Sequence, residues 1–498
     1  VTGASSLVSG FLARAGESGV AARDAAGIAT YGDVVDRAER VAASLLQLEG
    51  RASLERERVA LLVAPGADFV AAFFGVLIAG GVVVVLSPLH PAPETRYFCE
   101  DAGVRVVIVS DELSQHAECL AHDHRLLGVK SCTGGSARAG TRTLPAAEHP
   151  ALQLYTSGTT GKPKGAVITH ANLATQQQLL ASAWGWTSRD VLLHTLPLHH
   201  MHGLAIAWLS AVGVGAATRF MPSFDARATW EALAECSVLM AVPTIHARLM
   251  AAFDAADPGT QARWAGAARR LRLVTSGSAA LPVRLGERWT ALTGSYPLER
   301  FGMTEIGVGT TNPLDGARRR PGSVGLPLPT VQTRVEGDEL WVAGPSVFLE
   351  YHGRPEATRE AFVTTETASA TRWFKTGDTV TRDPDGYVRI LGRTSVDILK
   401  SGGYKLSALE IEEVLREHPA VAEVAVVGLP DEAWGERVVA CVVARSGREG
   451  ECSEDALRGF AKERLAPYKV PKTVIVMTEL PRNAVGKVLK PVLVKAIG

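Results

Sequence analysis

The stretch FVAAFFGVLIAGGVVVVLSPL, residues 69–89, carries no charged residue. A run of this length and character has two physical outcomes: a membrane span, or elements buried on every side inside a large core. Gly80-Gly81 divides it, and the β-branched run VVVV then stops at Ser-Pro. A helix ended by glycine and followed by a buried parallel strand fits that punctuation better than one continuous span. The same helix-then-apolar-strand texture surrounds ERVALLVAPG and GVRVVIVSDE. The first part of the chain therefore reads as an α/β domain with largely parallel sheets.

At 498 residues the chain exceeds what one ordinary core supports, so two or more domains are expected. Near Asp338 the texture turns to short strands and tight turns, EGDELWVAG and DPDGYVRILGR, and Asp385-Gly386 is a hairpin signal. Beyond LGRTSVDILKSGGYK the pattern runs helix, strand, turn, strand, helix, strand, which is a small α+β domain. The expected division is 1–393 for the N-terminal domain and 394–498 for the C-terminal one.

Lysines plus arginines equal aspartates plus glutamates at 52 each, which argues against a nucleic-acid or membrane-surface binder. The expected partners are small molecules, for a monomer or homodimer. Six scattered cysteines without a CxxC pair read as reduced thiols, neither a disulfide scaffold nor a zinc site. No signal peptide is visible, so the chain is expected to be cytoplasmic, or mitochondrial if a transit segment preceded Val1.

Chemistry concentrates first in YTSGTTGKPKG, residues 155–165, which follows the short apolar strand ALQLY. Glycines let backbone N–H groups approach an anion, and hydroxyls and lysines add donors for phosphate oxygens. The spacing is not that of a Walker A loop, and a flexible linker would not carry such ordered punctuation between two apolar strands. The run LHHMHGL holds His199, His200 and His202, but no outlying ligand accompanies them, which disfavours a metal cluster. Arg318, Arg319 and Arg320 read as a solvated loop. Arg248, in VPTIHARLM, is the odd charge: its helical neighbours Thr244, Ile245, Ala251 and Ala252 offer no carboxylate. Water or an acid brought by the fold would serve it.

YTSGTTGKPKG resembles the phosphate loop of the adenylate-forming superfamily of acyl-CoA synthetases, peptide-synthetase adenylation domains and firefly luciferase. PLHHMHGL, SGSAAL, ERFGMTE, WFKTGD, YVRILGR, LKSGGYKLSALEIEE and PRNAVGK follow in that family's order, so the match spans Tyr155 to Lys487. The resemblance implies a large N-terminal domain of α/β subdomains with a distorted β-barrel, and a small mobile α+β C-terminal domain carrying a catalytic lysine. It also implies ATP, Mg²⁺ and coenzyme A.

By the same resemblance Thr156, Ser157, Gly158, Thr159, Thr160 and Lys164 cradle the phosphates, and Glu305, beside Thr304, holds Mg²⁺. Gly277, Ser278, Ala279, Phe301, Gly302 and Met303 form the adenine slot, while Asp378 and Arg393 take the ribose. Lys487 meets the charge that develops in adenylate formation. Ser401, Gly402 and Gly403 pass the thiol arm, and His200 gates it. The hinge falls at Ser395 or Asp397, where the family's usual residue is replaced.

The resemblance also gives Arg248 a candidate partner. The family places the segment after VPT on a wall of the acyl pocket, with Ser276 and His202 nearby. An unpaired buried arginine is costly, so a second substrate carboxylate is the natural counter-ion. The local wording is closest to malonyl-CoA synthetases, which implies malonate and extends to methylmalonate. A medium-chain or aryl acyl-CoA synthetase, or an adenylation enzyme loading a carrier protein, would carry the same shared motifs.

Overall fold

The computed structural model describes residues 7–135, 144–156, 162–365, 371–402, 404–432, 434–482 and 488–498. Two compact units divide the chain, a large N-terminal one of residues 1–333 with 342–374 and a small one of 334–341 with 375–498. Residues 375–393 thus group with the C-terminal residues. The domain boundary at 393/394 is a proposal.

The uncharged stretch forms the helix Ala67–Ile78 and the strand Val82–Val85, with Gly80 at φ 80° between them. Among the described residues no helix is long and apolar enough to cross a membrane. The helix is buried along nearly its whole length because aromatic partners close around it. Phe69, Phe73 and Phe74 surround the Trp208 ring at 5.2–5.9 Å, and Phe74 stacks on Phe11 at 3.7 Å. Fully burying each such side chain contributes roughly 1.5–3 kcal/mol.

Two sheets lie wholly within the large unit. In the first the order is Glu350–Tyr351, Lys164–Thr169, Pro150–Thr156, Val82–Val85, Arg58–Leu62, Val106–Val109, Arg125–Gly128. The last five of these are mutually parallel, which explains why their central members are apolar apart from Arg58 at the start of one strand. The second sheet runs Leu326–Pro327, Gly307–Thr311, Leu298–Met303, Leu273–Ser276, Val238–Ala241, Val191–His194, Ala217–Phe220, Val20–Asp24, Gly27–Thr30. Its interior is parallel and its two ends are antiparallel.

In the small unit the strands Tyr404–Ser407, Ile398–Ser401, Gly435–Ala444 and Val421–Asp431 lie in that order, and Thr473–Met477 pairs parallel to Gly435–Ala444. Alternate residues face opposite sides, as a strand's period of two requires. Val438, Ala440 and Val442 join one core with Ile411, Leu415 and Leu457. Val439 and Cys441 join another with Leu429, Leu480 and Leu493. The hairpin expected at Asp385-Gly386 is present: Thr381 and Arg382 pair with Arg389 and Val388 around Gly386, whose φ is 89°. All six cysteines are free.

Candidate active site

Four parallel strands of the nine-stranded sheet bring their carboxyl ends to one edge. They are Val191–His194, Val238–Ala241, Leu273–Ser276 and Leu298–Met303. His200 and His202 follow the first, Arg248 the second, and Gly277, Ser278 and Ala279 the third. Phe301, Gly302 and Met303 end the fourth and lead into Thr304 and Glu305. In open α/β sheets this edge is where ligands bind, because loops there converge without competing for ladder hydrogen bonds.

At that edge the structure buries an arginine that the motif reading passed over. Arg300, inside ERFGMTE, is only 3% exposed. Its Nε and Nη2 have no hydrogen-bond partner among the described residues, and no carboxylate there pairs with it. Burial lowers its pKa to about 9. Gly277 makes room for it: a Cβ at 277 would lie 2.5 Å from Arg300 Nε, so any larger residue would displace the guanidinium. His202 stands in the same neighbourhood, hydrogen-bonded through Nδ1 to Ser278 Oγ at 3.1 Å. Burial first, and then the Arg300 charge, push the His202 pKa well below the ordinary histidine value. Ser278 adopts φ 68°, a left-handed conformation uncommon for a residue with a Cβ. Ser276 is buried and its Oγ is unpartnered among the described residues.

Arg248 lies elsewhere on the burial scale. It is exposed, the sixth residue of the helix Pro243–Asp254, with its guanidinium 4.6 Å over the Phe224 ring. The desolvation cost invoked for it therefore does not apply to Arg248; it applies to Arg300. Sequence spacing could not separate the two, although the arginine inside a motif of otherwise known purpose was a usable signal.

The histidines of the run pack against one another. His199 and His200 rings lie 4.1 Å apart, and His90 sits 5.1 Å from His199. Among the described residues no group of three or more potential ligands could hold a metal. The backbone from His202 to Trp208 forms a π-type turn, a distortion often found where a side chain is aimed at a site. Burial lowers the pKa of His170, His194, His200 and His246 to about 4 each. These imidazoles stay neutral when folded but charge near pH 6.5 when unfolded. Their contribution is complete above about pH 6.5 and is lost as pH falls towards the folded value, each adding up to about 1.4 kcal/mol per pH unit. Melting curves between pH 7.5 and 5 should accordingly show Tm falling before carboxylates titrate; a flat Tm over that range would contradict the buried neutral assignment.

On the other sheet, Thr156 and Lys164 face each other at the end of an antiparallel strand pair, the two stems of the phosphate loop. Ser157, Gly158, Thr159 and Thr160 lie outside the described residues. Lys164 Nζ is 5.1 Å from the Tyr351 ring centroid, and the Tyr351 hydroxyl donates to Glu305 Oε1 at 2.8 Å. Tyr351 thus brings the loop lysine and the motif glutamate, 141 positions apart, to one place. No motif flagged this tyrosine, because its role exists only once the two sheets meet.

The remaining motif residues belong to the small unit, described by itself. Arg393 Nε is 3.1 Å from Asp378 Oδ1, the two being cross-strand partners, and Arg393 Nη1 donates to Thr376 O at 2.6 Å. Ser401 is buried, and Gly402 at φ 58° donates its N–H to Trp434 O at 2.8 Å. A Cβ at 402 would meet the Trp434 ring at 2.9 Å. Beside this loop lie exposed rings, Trp434 with Lys472 Nζ 4.0 Å above it and Tyr404 stacked on Tyr468 at 4.3 Å. Gly403 and Lys487 lie outside the described residues.

A ligand edge on a doubly wound sheet, phosphate-loop stems beside a buried glutamate, and a small α+β unit are the parts of a nucleotide-dependent ligase. Residues 13–352 match the family described as AMP-binding enzyme and residues 410–487 its C-terminal domain, and the chain belongs to this family of enzymes. Among its relatives is human mitochondrial malonate–CoA ligase ACSF3, 40% identical over 96% of this chain and 89% of that protein. ATP-bound MatB from Rhodopseudomonas palustris superposes with a TM-score of 0.85 at 34% identity, covering 99% of each chain. A malonyl-CoA ligase solved with methylmalonyl-CoA and AMP gives a TM-score of 0.68 at 36% identity over 95% of this chain and 99% of that one.

Proposed function

We propose that the enzyme joins malonate, and also methylmalonate, to coenzyme A through an acyl-adenylate. One carboxylate oxygen attacks the α-phosphorus of ATP, the bond to the pyrophosphate leaving group breaks, and acyl-AMP forms. The thiol sulfur, having lost its proton, then attacks the acyl carbon and AMP leaves, giving malonyl-CoA, AMP and pyrophosphate.

The observation that carries the choice of acid is Arg300. A guanidinium this deeply buried, with no carboxylate partner among the described residues, is unfavourable by several kcal/mol. A second carboxylate on the substrate supplies the missing counter-ion, in charge-assisted hydrogen bonds of roughly 1.5–3 kcal/mol each. His202, kept neutral, and Ser276, whose buried Oγ is unpartnered among the described residues, would complete that anion's hydrogen bonds, and Arg248 would add positive charge from an exposed position. A monocarboxylic acid would leave Arg300 unsatisfied, so its exclusion follows from the same feature.

For the shared chemistry, Thr156, Ser157, Gly158, Thr159, Thr160 and Lys164 hold the triphosphate, and Asp378 with Arg393 holds the ribose. Gly277, Ser278, Ala279, Phe301, Gly302 and Met303 bound the adenine. Glu305 fits Mg²⁺ in the way that ion is usually held, by one or two carboxylates with phosphate oxygens and water. When bound, the ion would neutralise phosphate charge. Glu305 is itself oriented by the Tyr351 hydroxyl, with Thr304 alongside. Ser401, Gly402 and Gly403 pass the pantetheine arm, and His200 gates it. The neighbouring Trp434, Tyr404 and Lys472 suit the adenine ring and phosphates of coenzyme A, since aromatic faces stack bases and ammonium groups pair phosphate.

The test is an ATP- and CoA-dependent thioester assay across acetate, malonate, methylmalonate, succinate and octanoate. Malonate and methylmalonate should dominate; preference for octanoate or acetate would end the dicarboxylate reading.

A further inference from the structure

Lys490 opens the helix Lys490–Ile497, three residues after Lys487. Its buried ammonium sits 2.5 Å from Asp397 Oδ1 and 2.7 Å from Glu412 Oε1. The helix dipole opposes a cation at this end, and burial strips its water, so the position is tenable only between the two carboxylates. Burial presses the Lys490 pKa down, but Glu412 and Asp397 outweigh it and hold the group above the ordinary lysine value.

Both carboxylates are fixed from elsewhere as well. Asp397 Oδ2 accepts the Arg393 N–H at 3.0 Å, and the Asp397 N–H donates back to Arg393 O at 2.7 Å. Glu412 Oε1 accepts the Val426 N–H at 2.9 Å, and its Oε2 accepts from Arg416 Nη2 at 2.9 Å. On the chain itself, Val488 bridges Arg482 and the Leu489 N–H donates to Pro481 O at 2.8 Å. The residues flanking 483–487 are therefore tied to each other, and Lys490 ties that knot to the turn at 393–397.

We propose that Lys490 is a positioning residue for Lys487: the Lys490–Asp397–Glu412 triad fixes the base of the Lys487 segment to the turn after Arg393 and so sets where the Lys487 ammonium sits during adenylate formation. The proposal rests on the reading of Lys487 given above. A lysine whose anchor shifts by an ångström loses much of its effect on the developing charge. The Gly402 loop keeps supports of its own without Lys490: the Gly402 N–H donates to Trp434 O, and Asp397 O accepts the Ala408 N–H, both at 2.8 Å. The helix Ala408–Arg416 that follows it is capped by Ser407, and Glu412 keeps its Val426 and Arg416 bonds without Lys490. Removing Lys490 therefore separates the half-reactions.

The test compares Lys490→Met, Lys490→Arg and Lys487→Ala in the full-length enzyme. Pyrophosphate exchange with malonate reads the first step, CoA-thioester release from supplied malonyl-adenylate reads the second, and thermal melts verify folding. The Met variant should lose about tenfold or more in kcat of the first step, with KM for ATP and malonate and the second step changed by less than about twofold. The Arg variant should recover most of the loss. Parallel loss of both steps in the folded Met variant, or loss of neither, overturns the proposal. If the Met variant does not fold, Asp397→Asn, which leaves Lys490 paired with Glu412, should give the same split at smaller amplitude, and equal steps there overturn it too. A Lys487→Ala that fails to separate the steps sinks the reading of Lys487 and the triad with it. A Lys487→Ala that separates them beside a Lys490→Met that does not sinks the triad alone.

Discussion

Lys487→Ala is expected to lower adenylate formation from malonate and ATP by about 10²–10³-fold, the usual scale for losing one preorganised charge at a transition state. Thioester formation from supplied malonyl-adenylate should stay within about twofold, because that step draws on the Gly402 loop rather than on Lys487. The reasoning is electrostatic. Negative charge accumulates between the attacking carboxylate and the α-phosphate only during the first step, so a group acting there is spent before the thiol arrives. Rapid-quench measurement of each step, with melts to establish folding, decides it; equal loss in both would contradict separate machinery for the two half-reactions.

Arg300→Met should lower kcat/KM for malonate by about 10²–10⁴-fold, the worth of two charge-assisted hydrogen bonds together. KM for ATP should hardly move. The same change removes a buried guanidinium that lacks a carboxylate, so the free variant should melt at or above the parent's temperature. Malonate should raise the Tm of the parent and not of the variant. A purely structural arginine would behave in the opposite way, losing stability on truncation. Arg248→Ala, at an exposed position, should cost only about two- to fivefold in malonate use. If Arg248→Ala proved the more damaging of the two, the burial argument for Arg300 would be wrong and the dicarboxylate contact would belong to the helix Pro243–Asp254.

Much of the fold was legible because its signals are local. Gly80-Gly81 after an apolar helix, followed by four valines, specifies a helix stop and a buried strand through backbone geometry and β-branching alone. Asp385-Gly386 specified its turn in the same way. The phosphate-loop stems and the Asp378–Arg393 pair also sat in recognisable motifs, since close approach to phosphate demands glycine and hydroxyl at fixed spacing. Tyr351 was not legible, because nothing in its own neighbourhood announces a hydrogen bond to Glu305, 46 residues before it. The Lys490 triad was hidden for the same reason: its three members come from a turn and two helices, and each alone reads as an ordinary surface charge.

The sequence by itself determined the reaction class, through motifs whose backbone requirements are met within a few residues. Only the tertiary structure decided which arginine is the buried one. Arg248 looked like an orphan because its helical neighbours lack a carboxylate, yet it faces solvent across Phe224. Arg300 looked like part of a nucleotide motif, yet Gly277, from the adjacent strand's end, and His202, from a segment about a hundred residues earlier, close over it. Desolvation is a property of everything packed around a group, and that is fixed by which strands become neighbours rather than by the residues beside it in the chain.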